Sequence, residues 1–109
     1  MSDINTIIET IKQFNADRDW EQFHNIRDLA VAISVEANEL LECFLWKKPD
    51  EANREKIEEE LADVLSCAFQ MAYRCDLDIE EIMNKKIALN AKKYPIEKAK
   101  GKATKYNDL

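Results

Sequence analysis

Residues 36–63 read EANELLECFLWKKPDEANREKIEEELAD, and the fold turns on how this stretch divides. One acidic pair, Glu36 and Glu39, stands at i, i+3 at its start, and a second, Glu60 and Asp63, stands at i, i+3 at its end. Between them, Lys47-Lys48-Pro49-Asp50 interrupts any helix, because a proline disfavours helical backbone at the residue before it. The spacing therefore predicts two long helices joined near Pro49-Asp50. One runs from near Asn25 to about Trp46, and one from about Glu51 to Arg74 with Asp50 as its cap. Leu29, Ile33, Leu40 and Phe44 form the apolar seam of the first; Ile57, Val64, Cys67 and Met71 form that of the second.

Glu36 and Glu60 fall within those seams, where the pattern calls for Leu or Ile. An unpaired carboxylate there costs several kcal/mol or stays protonated. The two pairs are also equidistant from Pro49-Asp50. In an antiparallel hairpin with axes about 8–10 Å apart, residues equidistant from the turn sit at one height. Four carboxylates at one level suit a hard, oxygen-seeking cation such as Mg²⁺. A di-iron centre would need Glu-x-x-His motifs, and the single histidine, His24, lies in another segment. Glu55, Glu58 and Glu59 read as an ordinary solvated helix face.

Working outward, a first helix follows Asp3 as N-cap and carries Ile4, Ile7, Ile8, Ile11 and Phe14 at helical spacing. A polar and aromatic stretch with Trp20 and Phe23 leads to His24. Asp78 and Glu81 resemble a capping box that opens a fourth helix, which carries Ile79, Ile82, Met83 and Ile87 and stops by Pro95. With one Gly and two Pro, the chain is poor material for hairpin turns. The expected class is all-α: a four-helix protomer with a long antiparallel helical hairpin. Residues 1–95 form the domain and 96–109 a Lys-rich tail or arm. The hairpin exposes more apolar surface than the other helices can cover, which predicts a homo-oligomeric helix bundle.

Composition narrows the function classes. The formal charge is −6 over 109 residues. Lys98, Lys100, Lys102 and Lys105 against Glu97 and Asp108 give the tail +2, leaving −8 on residues 1–95. An acidic body repels nucleic-acid backbones, so a nucleic-acid polymer is not the expected partner. No apolar run approaches the roughly 20 residues that span a bilayer, so no membrane partner is expected. The opening MSDINTIIET lacks the basic start and apolar stretch of a signal peptide, which points to the cytoplasm. Cys43, Cys67 and Cys75 form no CxxC pair and read as reduced, largely packed thiols.

Glu36-Ala37-Asn38-Glu39 followed by Glu60-Leu61-Ala62-Asp63 resembles the signature of the MazG-like all-α nucleoside triphosphate pyrophosphohydrolases. Arg18 to His24, Trp46-Lys47, Lys93-Tyr94-Pro95 and Lys105-Tyr106 narrow the likeness to the dCTP pyrophosphatase branch, over roughly residues 14–109. The resemblance implies Mg²⁺-dependent cleavage of dCTP or a related dNTP to the monophosphate and pyrophosphate, with Glu36, Glu39, Glu60 and Asp63 as catalytic metal ligands. It implies a tetramer built as a dimer of dimers, with the tail embracing a neighbour. On the fourth helix, Lys86, Asn90 and Lys93 or Tyr94 share a face. Lysine charge and an asparagine amide suit phosphate or sugar oxygens, and the resemblance favours Lys86 and Asn90. Trp20 and Trp46 become candidates to enclose the base, and His24 to add a polar contact. Two alternatives stay open: the same fold acting on dUTP or modified nucleotides, and a non-catalytic helical interaction protein.

Overall fold

Polar residues standing ahead of the apolar seams start three of the helices. In the computed structural model, which describes residues 3–109, Asn25 Oδ1 accepts the Asp28 N–H at 2.8 Å and Asn53 Oδ1 accepts the Lys56 N–H at 3.1 Å. Asp78 Oδ1 accepts the Glu81 N–H at 2.9 Å. Each satisfies a backbone donor that the first turn leaves orphaned. The helices are α1 (Asp3–Asp17), α2 (Ile26–Glu42), α3 (Arg54–Arg74), α4 (Ile79–Lys93) and the short α5 (Ile96–Ala99). The described residues contain no strand.

Three boundaries differ from the sequence reading. Asp3 lies in the first turn of α1, not ahead of it. Helix α2 ends at Glu42, short of Trp46. Cys43 and Phe44 tighten into i→i+3 bonds to Leu40 and Leu41, and Trp46 then takes a left-handed backbone at φ 63°. Helix α3 begins at Arg54 with Asn53 as its cap, not Asp50. Pro49–Glu51 form a 3₁₀ turn in which Glu51 Oε1 accepts the Lys48 N–H at 3.1 Å. The fixed φ of proline suits that first turn, and the extended backbone of Asn53 (φ −73°, ψ 116°) leaves its side chain free to fold over α3.

The described chain falls into two compact units, one ending at Asp76 and one beginning at Leu77. In the first, α2 and α3 pack along their length as the antiparallel hairpin, and α1 packs on α3. Its core is thin. Ile8, Leu29 and Ala72 are the buried apolar residues, beside two buried amides, Asn15 and Gln70. Asn15 Nδ2 donates to Gln70 Oε1 at 2.9 Å and to Tyr73 Oη at 3.2 Å, which fastens α1 to α3. The Tyr73 hydroxyl donates to Glu21 Oε1 at 2.9 Å, and Arg74 Nη1 pairs with Glu21 Oε2 at 3.0 Å. These bonds anchor the 3₁₀ turn Glu21–Phe23, and with it Trp20 and His24, to the C-terminal end of α3.

In the second unit, the extended Pro95 ends α4 and begins α5, and a closing 3₁₀ turn spans Tyr106–Asp108. The tail is thus more structured than its weak pattern suggested. Tyr106 is its anchor: the Tyr94 ring meets it edge-on at 6.1 Å, and Lys93 Nζ lies 4.8 Å over its face.

Candidate metal and substrate site

The hairpin decides the site. Glu36 and Glu39 rise from one face of α2, Glu60 and Asp63 from one face of α3, and one carboxylate oxygen from each lies within 4.8 Å of the other three. Glu36, Glu39 and Glu60 are half-buried; Asp63 is exposed. Glu36 Oε2 and Glu60 Oε2 are buried with no hydrogen-bond donor. Crowding shows in the protonation equilibria. The Glu39 carboxyl is held above its usual range by hydrogen bonding to Glu36 and by that neighbour's negative charge. Glu60 is raised by burial first and by the charge of Glu39 second. Buried acceptor oxygens that no protein donor meets, converging from two helices, fit a divalent cation bound by hard oxygen ligands.

An aromatic cavity of about 480 Å³ adjoins this cluster and shares Asp63 with it. Trp20 meets Phe14 edge-on at 5.8 Å and His24 at 6.5 Å. The Arg18 guanidinium covers the Phe14 ring from 3.7 Å. His24 Nδ1 is buried with no partner. Asp28, Ser66 and Gln70 supply further polar groups to the wall. An aromatic wall with a few polar atoms, beside a cation site, can take a planar heterocycle carrying an anionic chain.

The structure brings Trp20, His24 and the four carboxylates into one region of the first unit. Trp46 is fully exposed and lines neither this cavity nor the one at the far end of the carboxylates. Lys86, Asn90, Lys93 and Tyr94 belong to the second unit, where Lys93 and Tyr94 are engaged by Tyr106. Sequence reasoning missed Asn15, Asp28 and Gln70. The signal for two of them was present: Asn15 follows Ile11 and Gln70 follows Cys67 on the seams of α1 and α3, the same displacement that marked Glu36 and Glu60.

Comparison with known proteins agrees with this architecture. The chain is 39% identical over 105 residues to dCTP pyrophosphatase 1 of Mus musculus and 37% identical to that of Homo sapiens. The alignments cover 89% of this chain, which spans 62% of the length of these relatives. The crystal structure of a pyrophosphatase from Archaeoglobus fulgidus superposes with a TM-score of 0.81 at 30% identity, covering 87% of this chain and 94% of that one. The profile of the MazG-like family matches residues 31–109, a span that holds both acidic pairs and the turn between them. By that match and by the hairpin that carries it, the chain belongs to the MazG-like family.

Proposed function

We propose that the protein hydrolyses dCTP or a closely related dNTP to the monophosphate and pyrophosphate, with Mg²⁺ held by Glu36, Glu39, Glu60 and Asp63. The observation that carries this reading is the junction at Asp63, where four convergent carboxylates meet an aromatic cavity. The names of the mouse and human relatives supply the substrate.

In the proposed reaction, water attacks the α-phosphorus. A bond forms between the water oxygen and that phosphorus, and the bond to the α,β-bridging oxygen breaks with its electron pair leaving on pyrophosphate. A carboxylate oxygen of the cluster takes the proton released by the water. Bound Mg²⁺ would neutralise triphosphate oxygens and the charge that builds on the leaving group. Trp20 and Phe14 would face the base, and His24 would offer it a buried ring nitrogen. Asp63, common to cavity and cluster, would offer its carboxylate to the cation where the α-phosphate of the nucleotide reaches the level of the other carboxylates.

Assembly belongs to the same proposal. Val31, Val35, Leu41, Leu61 and Leu65 of the hairpin are each about half exposed or more. Apolar surface on that scale favours association of hairpins into a bundle, and we take the assembly to be a tetramer, a dimer of dimers. Trp46 would gain neighbours only there, and Lys86 and Asn90 remain candidates for phosphate contacts within it. We place the enzyme in the cytoplasm, where a nucleotide substrate is at hand.

The test is a panel of dCTP, dUTP, dTTP and 5-modified dCTP with Mg²⁺, the products resolved by ³¹P NMR. Pyrophosphate with the matching monophosphate is expected, fastest for a cytosine nucleotide. A uracil preference would move the substrate; orthophosphate alone, or no turnover, would refute the reading.

A further inference from the structure

A second cavity, of about 260 Å³, lies on the turn side of the carboxylates. It is lined by Glu39, Glu42, Cys43 and Lys47 from the end of α2 and the chain that leaves it, and by Asn53, Lys56 and Glu60 from the start of α3. It shares Glu39 and Glu60 with the acidic cluster, whereas the aromatic cavity shares Asp63. The carboxylates therefore stand between two cavities of different chemistry, one walled by rings and one in which two ammonium groups stand beside the carboxylates of Glu39, Glu42 and Glu60.

Those ammonium groups are available. Lys47 makes no ion pair among the described residues. Lys56 pairs only with Glu59, at 3.7 Å, with both side chains more than 60% exposed. A pair that exposed is weak and yields readily to a better anion. Lys56 also sits one helical turn before Glu60, on the same face of α3. Asn53 uses its Oδ1 to cap α3, which leaves its amide N–H₂ free to donate. The positive end of the 21-residue α3 adds to the field at the same place.

We propose that this cavity is the pyrophosphate subsite, in which Lys47 and Lys56 hold the β- and γ-phosphates while the nucleoside occupies the aromatic cavity. The inference rests on the triphosphate reading above and adds a direction to it. The substrate crosses the carboxylate level with its α-phosphorus there. Pyrophosphate leaves by the α2–α3 turn, and the monophosphate leaves from the aromatic side. The two products then bind without excluding each other.

The test is titration of the 109-residue chain with inorganic pyrophosphate, and separately with dCMP, in Mg²⁺ buffer by calorimetry. The wild type is compared with Lys47→Gln, Lys56→Gln and the double variant, each checked for an unchanged melting temperature. Each single substitution is expected to weaken pyrophosphate binding ~10-fold, the scale of one lost hydrogen bond to a charged group. The dCMP affinity should hold, and the KM for the triphosphate should rise in step with the pyrophosphate Kd. Unchanged pyrophosphate affinity in the double variant overturns the subsite, as does its loss in Lys86→Gln alone. Wild type that binds pyrophosphate through these lysines but cleaves no triphosphate would leave the subsite standing and refute the enzymatic reading instead.

Discussion

Asn15 Nδ2 reaches Gln70 Oε1 across 2.9 Å, joining α1 to α3 through two of the least exposed polar side chains in the protein. Removing one partner leaves the other unpaired where little of its surface meets water. Asn15→Ala should therefore lower the unfolding free energy by about 1–3 kcal/mol, read from urea denaturation. Because Asn15 also bonds Tyr73, and Tyr73 holds Glu21, the variant should loosen the segment that carries Trp20. An unchanged denaturation midpoint would mean the bond contributes nothing net.

Glu60→Gln separates a metal ligand from a structural residue. The substitution removes a charge that the neighbouring carboxylates oppose. The metal-free protein should melt no lower than wild type. Mg²⁺ should no longer raise its melting temperature, and turnover should fall at least ~100-fold, the scale on which loss of an electrostatic stabiliser registers. Retained activity would remove Glu60 from the ligand set.

Acid should act on the same cluster with a defined sign. Glu39 and Glu60 titrate above the ordinary 4.5 in the folded chain, so the folded state binds their protons more tightly than the unfolded state. Their contribution favours folding in acid and is lost as pH rises from about 4.5 through the raised folded values. Without metal, the melting temperature should decline across that window. Mg²⁺ competes with those protons, so the stabilisation it gives should be small in acid and grow as pH rises. A flat metal-free profile would show that the repulsion is relieved some other way.

Trp20→Ala should act on substrate affinity. Stacking a base on an aromatic ring contributes about 1–3 kcal/mol, so KM for the preferred dNTP should rise at least about fivefold, with kcat less affected and Mg²⁺ binding intact. A selective loss of kcat would instead assign Trp20 to positioning the carboxylates.

Leu61→Lys with Leu65→Lys addresses assembly. Both side chains are nearly half exposed on α3, and burying two lysines in an apolar interface carries a large desolvation penalty. Light scattering after gel filtration should show a smaller particle than the wild type. Identical masses would place the interface elsewhere.

Much of this was legible from spacing. The carboxylates at 36, 39, 60 and 63 announced both the hairpin and its level, because a helix cannot keep Glu on its apolar seam without a reason. The same argument applied to Asn15 and Gln70 would have found the amide bridge; they escaped notice because a single amide is less conspicuous than a repeated acidic pair. Asp28 was hidden by its position in the first turn of α2, where an acidic residue is expected anyway. The end of α2 and the start of α3 were misjudged because Asp50 and Asn53 are both good caps, and the choice between them depends on how Pro49 bends the chain. Spacing alone was silent on which lysines approach the carboxylates, since that depends on where the turn directs residues 47 and 56.

Trp46 stands wholly in solvent on a left-handed backbone, while Trp20 leans on Phe14 and His24. The protein's two indoles thus report from different surroundings, and their fluorescence can be separated by a collisional quencher. Iodide should silence Trp46 first in dilute protein. The emission that remains, from the less exposed Trp20, then becomes a label-free signal for occupancy of the aromatic cavity, and recovery of Trp46 emission on concentrating the sample becomes a measure of self-association.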